Sequence, residues 1–376
     1  MAVFKKTNWL NSGDEAFSAM LAAIDAARTI IRFETYIYAN DEVGIKFREA
    51  FLKARARGVA VKILVDGLGS FALPGNFWLP LLAADGDVRW FNPLGPKRFI
   101  FRNHRKLLVC DDAVAFIGGF NIAKEYQGDG VKSGWRDLGL QISSSLTGEL
   151  VASFEEMFAH ANFQHKRFMR LRKPMDIRTV SAQEGELLLS GPGRGYNPFN
   201  RLLRHDLAGA RDVKIIAAYF LPTWRIRRDL ARVVRRGGRV QLILAGKSDV
   251  FLSQLASRSL YRRLLKAGIE IYEYQPQILH AKLIVIDHRV YVGSSNLDPR
   301  SLHINYELMM RFENRALAAE ARQLFIKDLA LSPRIELAAW RKSGTWWKRL
   351  RRRWAYFILV ELDPFIARWQ YKGMLS

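Results

Sequence analysis

One short pattern, His, any residue, Lys, four residues, Asp, occurs twice in this chain, and the flanking sequence repeats with it. His104, Lys106 and Asp111 lie in NHRKLLVCDDAVAFIGGFN; His280, Lys282 and Asp287 lie in LHAKLIVIDHRVYVGSSN. Upstream of the first copy, TIIRFETYIY precedes RARGVAVKILVDG, and upstream of the second, VKIIAAYFLP precedes RRGGRVQLILAGK. Leu64 matches Leu244 at a spacing of 180 residues, and His104 matches His280 at 176. A repeat of this length means paired domains and not a solenoid. Each half reads as strand, helix, strand, a variable region, then a motif hairpin.

Within each motif, polar and apolar residues alternate as in a strand, so His and Lys two positions apart leave the same face of a sheet. A nucleophile or acid thereby lies beside a fixed cation. A glycine-bearing turn and an asparagine follow: Gly118, Gly119 and Asn121 in one half, Gly293, Ser294 and Asn296 in the other. Such turns bring backbone amides and a side-chain amide to one place, a set that suits a phosphate. Asp111 and Asp287 complete the catalytic motif, but their odd separation of seven from the histidine points them to the opposite face. They read as structural groups that bond backbone or a basic side chain. Asn121 follows its histidine by 17 residues and Asn296 by 16, so the second hairpin is expected to be the tighter.

With 376 residues, 49% of them hydrophobic, the chain can bury a large core in about two domains. Its single cysteine, Cys110, excludes an intrachain disulfide and reads as a small buried apolar residue. The N-terminal MAVFKKTNWLNSGDEAF has no apolar stretch of signal-peptide length, and no uncharged run has the length of a spanning helix. The formal charge of +23, from 59 basic and 36 acidic residues, implies an anionic partner.

The tail points to lipid. From Trp340 onward lie five of the ten tryptophans, Trp340, Trp346, Trp347, Trp354 and Trp369. Residues 340–354 carry seven basic side chains, Arg351 and Arg352 among them, and no acid. Rings favour the headgroup level, cations favour anionic lipid, and the apolar run AYFILV is too short to span. Residues 336–376 are therefore expected to form an interfacial segment against an anionic phospholipid membrane. AYFILV has no place in a nucleic-acid arm, so nucleic acid is not the expected partner, and nothing implies an obligate protein partner. Lys97, Arg98, Arg102 and Arg105, interleaved with Phe99, Ile100 and Phe101, form either a lip for a lipid headgroup or an ordinary amphipathic strand.

The chain resembles the phospholipase D superfamily, whose mark is this duplicated histidine, lysine, aspartate motif. Within it, the chain is most similar to the short bacterial cardiolipin synthases without N-terminal membrane spans. The stretches that carry the likeness are FETYIYANDEVGIKFREAFLKARARGVAVKILVDGLGS, HRKLLVCDDAVAFIGGFNIAKEY, WRDLGLQI, AAYFLP, HAKLIVIDHRVYVGSSNLDPRSLHINYEL and GTWWKRL. The resemblance implies an α/β protein of two homologous phospholipase D-like domains, each a mixed sheet flanked by helices, related by a pseudo-twofold axis and sharing one active site. The domains are expected at residues 1–175 and 176–335, dividing where RKPMDIRTVSAQEGE loses apolar periodicity.

The same resemblance implies that His104 and His280 meet across one phosphate, with Lys106, Lys282, Asn121 and Asn296 around its oxygens. His104 would form a covalent phosphatidyl-histidine, while His280 protonates the leaving alcohol and later deprotonates the acceptor. The near-symmetry of the motifs leaves the reverse assignment open. Near an unperturbed pKa of about 6.5, an imidazole has both forms accessible around neutrality. Asp137 in WRDLG and Glu307 in HINYE stand where the family carries the carboxylates that hold each histidine. The implied reaction joins two phosphatidylglycerols into cardiolipin with release of glycerol, without cofactor or metal, at the cytoplasmic face of a bacterial inner membrane. Phospholipase D hydrolysis or phosphatidyl-alcohol transfer is the near alternative, and a phospholipase D-like nuclease the further one.

Overall fold

The computed structural model describes residues 7–93, 101–161, 177–182, 184–192, 197–342 and 345–362. The sequence readings at Lys97, Arg98, Phe99, Ile100 and Trp369, and the expected boundary at 175/176, lie outside the described residues.

In the first half, β1 (Thr7–Leu10) and α1 (Gly13–Ala26) lead to β2 (Ile30–Thr35), α2 (Glu42–Ala56), β3 (Ala60–Asp66), α3 (Leu79–Ala83) and β4 (Asp87–Phe91). The motif hairpin of β5 (Leu107–Cys110) and β6 (Val114–Gly118) follows, then β7 (Gly139–Ile142) and α4 (Leu146–His160). The second half opens with β8 (Arg178–Ala182), β9 (Gly185–Ser190), α5 (Pro198–Gly209), β10 (Asp212–Ala217), α6 (Trp224–Arg235), β11 (Arg239–Ala245), α7 (Phe251–Lys266) and β12 (Glu270–Tyr274). Its motif hairpin of β13 (Lys282–Ile286) and β14 (Arg289–Gly293) precedes α8 (Pro299–His303), β15 (Glu307–Glu313) and α9 (Arg315–Ala330). The tail forms α10 (Leu337–Lys342) and α11 (Trp346–Phe357).

The strand orders are β1-β7-β6-β5-β2-β3-β4 and β12-β11-β10-β13-β14-β15-β9-β8, so the two mixed sheets repeat one plan with an extra edge strand on the second. In each, three strands are parallel (β2, β3, β4; β10, β11, β12) and the rest antiparallel. The inner parallel strands β3, β10 and β11 carry apolar runs (ILV, IIA and LILA) because both faces are covered. Local signals agree with this order. Asp41 caps α2 by accepting from Gly44 N, Thr223 caps α6 by accepting from Ile226 N, and both helices end on a left-handed glycine, Gly58 (φ 83°) and Gly237 (φ 82°).

One face of each sheet is covered by its own helices, α1 and α2 on the first and α5, α6 and α7 on the second. The other faces share a core in which α4 and α9 pack with Leu64, Leu107, Val109, Ile243, Leu283 and Val285. Ladder register corrects one sequence match. Glu34 pairs with Leu64 and Leu107, whereas Ile216 pairs with Ile243 and Leu283, so Leu64 corresponds to Ile243 and not to Leu244. A slip of one residue reverses the face of every side chain. Leu64 and Ile243 face the shared core, while Leu244 faces the outer helices.

Candidate active site

The motif aspartates build the hairpins. Asp111 (φ 52°), Asp112 (φ 55°) and Asp287 (φ 50°) occupy the left-handed region that Asp tolerates in turns. Asp111 accepts the N–H groups of Arg28, Thr29 and Ile30 at 2.8, 2.8 and 3.1 Å, and Asp287 accepts those of Arg211 and Asp212 at 3.2 and 2.9 Å. Each thereby ties its hairpin to the start of the neighbouring parallel strand. Partial burial pushes the Asp111 carboxyl up, but the Thr29, Arg28 and Ile30 bonds outweigh it and bring it down to about 2. The first turn leaves three residues between the strands and the second leaves two, which accounts for the one-residue difference in the spacing to Asn121 and Asn296.

The motif histidines stand just ahead of their strands, each on a short bridge to the other half. Asn103 pairs with Tyr306, and Leu279 pairs with Arg136. His104 N donates to Tyr306 O at 3.0 Å, and His280 N donates to Arg136 O at 2.8 Å. The residue after each bridging partner is a carboxylate, so the halves exchange acids. Glu307 of the second half lies with both oxygens 3.0 Å from His104 Nδ1, and Asp137 of the first half lies 2.6 Å from His280 Nδ1. Asp137 and Glu307 are fully buried. A carboxylate on Nδ1 holds the proton there and leaves Nε2 as the nitrogen available for chemistry.

The glycine turns serve these acids. A Cβ on Gly119 would lie 2.1 Å from Asp137 Oδ1, so only glycine leaves room for that carboxylate. Ser294, at the matching place, donates its hydroxyl to Glu307 Oε2 and accepts from Leu308 N at 3.0 Å. Gly119 and Ser294 thus position the acids that position the histidines.

Lys106 and Lys282 are 5% and 4% exposed. Lys106 Nζ donates to His104 O at 2.8 Å; Lys282 Nζ donates to His280 O and lies 3.0 Å from His280 Nδ1. Burial pushes Lys106 down to about 7, with Glu307 opposing and Lys282 adding to the fall. Lys282 is lowered by burial as well. Burial, opposed by Glu307 and aided by Lys106, pushes His104 down to about 4, and burial with Lys282 lowers His280. Each lysine acts on groups of the opposite half, as one shared site requires. Burial thus biases both imidazoles toward the neutral form when no anion is bound.

The chemistry-bearing residues therefore form one site from two matched halves, and comparison with known proteins gives it a family. Residues 20–161 and 203–329 match the family described as cardiolipin synthase, PLD-like domain. Cardiolipin synthase 1 of Bacillus anthracis is 32% identical over 352 residues, covering 90% of this chain and 69% of that protein. Cardiolipin synthase B of Salmonella typhi is 30% identical over 371 residues, covering 96% of this chain and 89% of that protein. The chain belongs to the cardiolipin synthase family. It is an enzyme of the phospholipase D superfamily, a phosphatidyltransferase. Phosphatidylserine synthase of Haemophilus influenzae Rd KW20 superposes with a TM-score of 0.73 at 14% identity, over 96% of this chain and 94% of that one. Polyphosphate kinase of Porphyromonas gingivalis superposes with a TM-score of 0.60 at 15% identity, over 89% and 49%. At these identities the two structures show a shared fold.

In this cardiolipin synthase family member the two asparagines differ. Asn121 accepts from Ile37 N at 3.0 Å and donates to Tyr126 OH at 2.6 Å, and the Tyr126 ring stands edge-on to His280 at 5.2 Å. Asn121 thus braces the Tyr126 ring beside His280. Asn296 is buried, and its Oδ1 has no hydrogen-bond partner. Aromatic neighbours that no sequence rule selected complete the walls: Tyr36 lies 5.1 Å from the His104 ring, and Trp135 and Tyr219 lie 5.7 and 6.5 Å from the His280 ring. Their only signal was membership in the FETYIY, WRDLG and AAYFLP stretches.

Arg102 and Arg105 do not form a lip. Each is 1% exposed; Arg102 lies 3.6 Å from Asp66 and Arg105 lies 3.1 Å from Glu34, both of them buried acids. Asn103 N donates to Asp66 and its side chain to Glu34, so this charged set braces the His104 segment. The matching segment of the second half, Ile278, Leu279 and Ala281, is apolar. Cys110 is buried and its thiol is pushed up by burial to about 12, away from nucleophile chemistry.

The tail residues divide into two faces. Trp346, Trp347 and Trp354 are 63%, 66% and 59% exposed, and Arg351 is exposed with them. Trp340 and Arg352 instead turn toward α7. Trp340 packs on Tyr261 at 4.9 Å, and the Arg352 guanidinium covers Trp340 at 4.2 Å. Among the described residues no helix is long and apolar enough to cross a membrane.

Proposed function

We propose that this chain is a cardiolipin synthase that works on the surface of an anionic membrane, at the cytoplasmic face of a bacterial inner membrane. It would take phosphatidylglycerol as donor and a second phosphatidylglycerol as acceptor. The observation that carries the reading is the pair of carboxylate-held imidazoles, each beside a buried lysine, at the junction of two matched halves.

His104 Nε2 attacks phosphorus with its lone pair, and the bond from phosphorus to the glycerol oxygen breaks. That oxygen takes a proton from His280 Nε2, and glycerol leaves. The hydroxyl of the second phosphatidylglycerol then returns a proton to His280 as its oxygen displaces His104 from phosphorus. Lys106 and Lys282 offset the charge on the phosphoryl oxygens throughout. The bound phosphodiester brings a negative charge that favours the imidazolium His280 needs, and the 2.6 Å contact with Asp137 supports the same form. The longer 3.0 Å contact and neutral state of His104 suit the nucleophile.

The test is turnover of phosphatidylglycerol vesicles by purified protein, with products followed by mass spectrometry beside His104→Ala and His280→Ala. Cardiolipin and glycerol, abolished in both variants, are expected. Phosphatidic acid as the only product would replace the reading with hydrolysis, and cleavage of oligonucleotides without lipid turnover would replace it with a nuclease.

A further inference from the structure

Both halves carry an exposed apolar residue on the loop that holds a tyrosine against a catalytic histidine. In the first half, Ser70 donates to Tyr36 O and accepts from Tyr38 N, and the Tyr36 ring lies 5.1 Å from His104. Phe71, the next residue, is 68% exposed. In the second half, Tyr219 OH donates to Asp249 at 2.6 Å, and the Tyr219 ring lies 6.5 Å from His280. Phe251, two residues on, is 58% exposed, and Trp224, five residues beyond Tyr219, is 55% exposed. Ser70 and Asp249 each follow the second parallel strand of their half by four residues. Both loops leave the carboxyl ends of parallel strands, where α/β sheets place their ligands.

Burial of exposed rings is favourable, and such rings grouped on neighbouring loops are less ordinary than rings scattered singly over a surface. In the register that aligns Leu64 with Ile243, Phe71 matches Val250, itself 41% exposed, with Phe251 beside it, and exposed apolar residues on corresponding segments of two otherwise diverged halves point to one function at the mouth of the site. We propose that Phe71 on one side and Phe251 with Trp224 on the other are two lips of a single membrane-docking surface around the active-site mouth.

The tail extends the second lip. The Arg351 guanidinium lies 6.0 Å above the Phe251 ring, which joins α11 to the α7 end of the mouth. From that point α11 presents Trp346, Trp347 and Trp354 with Lys348, Arg349, Arg351 and Arg353 exposed beside them, and residues 337–360 contain no acid. Aromatic rings set among cations without counter-charges match the interface of an anionic bilayer. The proposal rests on a lipid substrate. With the lips seated at the headgroup level, the phosphodiester reaches His104 and His280 while the acyl chains stay in the leaflet, and the sn-glycerol moiety never crosses open water.

The test uses the full chain and a Phe71→Ser, Phe251→Ser double variant, with Trp346→Ser, Trp347→Ser as a second variant. Three measurements are made: flotation with phosphatidylglycerol-containing vesicles, turnover of those vesicles, and turnover of monomerically dispersed short-chain phosphatidylglycerol. Both variants are expected to lose vesicle turnover at least tenfold, with reduced flotation, while turnover of the monomeric lipid stays within twofold. Wild-type flotation and vesicle turnover unchanged in the double variant would remove the docking surface and leave the proposed reaction standing. Equal losses on both lipid forms would make the phenylalanines part of the site or the fold, again overturning the surface. Lipid-independent dimerisation that the double variant abolishes would assign the patch to a second copy of the chain. Failure of the wild-type protein to turn over either lipid form removes the proposed reaction itself.

Discussion

At the scale of single residues, the site is governed by acids that each half lends to the histidine of the other. Asp137 has room only because position 119 lacks a side chain. Gly119→Ala should push the Asp137 carboxylate off His280 Nδ1, and displacements of about 1 Å in such positioning cost roughly 100-fold in rate. Steady-state kinetics would show this as a fall in kcat, and unchanged kcat would sink the steric account. The lysines give a pH signature. Lys106, lowered to about 7, is charged below that pH and neutral above it, so anion binding needs no added proton below pH 7 and must take one up above it. The inhibition constant of sulfate, which does not titrate in this range, should therefore weaken as pH rises from 7 to 9. A constant value across that range would contradict the lowered lysine. His104, Lys106, His280 and Lys282 were legible because the chemistry is written in a fixed local spacing. The destination of Asn121, the burial of Arg102 and Arg105, and the tyrosine walls were not, because each depends on a partner 30 or more residues away.

At the scale of elements, the motif hairpins act as clasps on the parallel strands. Asp111→Ala removes the acceptor for Arg28, Thr29 and Ile30 N–H groups, a loss comparable to a helix cap, or roughly 1 kcal/mol. The folded carboxyl, at about 2, lies below the usual value near 3.9, so the stabilisation is complete above about pH 4 and is lost as pH falls through 2. Urea titrations of both proteins should differ most at pH 6 and narrow toward pH 2, where only the pH-independent cost of Ala in the left-handed turn is left; a gap of unchanged size at pH 2 would assign the effect to something other than this carboxylate. The odd spacing of Asp111 and Asp287 from their histidines was readable because a strand alternates faces. The register of β3 against β11 was not, since apolar residues at adjacent positions make a one-residue slip invisible until the ladder is drawn.

At the scale of the whole molecule, the two halves are locked by a buried ion pair as well as a shared core. Arg136 Nε lies 2.8 Å from Asp328 Oδ1, and Arg136 also donates to Asn11 O and, at 2.7 Å, to Asp137 O. Asp328→Ala leaves that guanidinium buried without its counter-charge, and the expected loss is about 3–5 kcal/mol in chemical denaturation. Loss below 1 kcal/mol would mean that the pair does not clamp the halves. The sequence alone determined the duplication, the α/β architecture and the identity of the histidines and lysines, because alternation and spacing act over a few residues. Only the tertiary structure decided that each histidine takes its carboxylate from the opposite half, that one half braces its motif with buried charge, and that half of the tail faces inward. Those choices rest on pairings between distant segments, and a linear pattern carries no record of which surfaces meet.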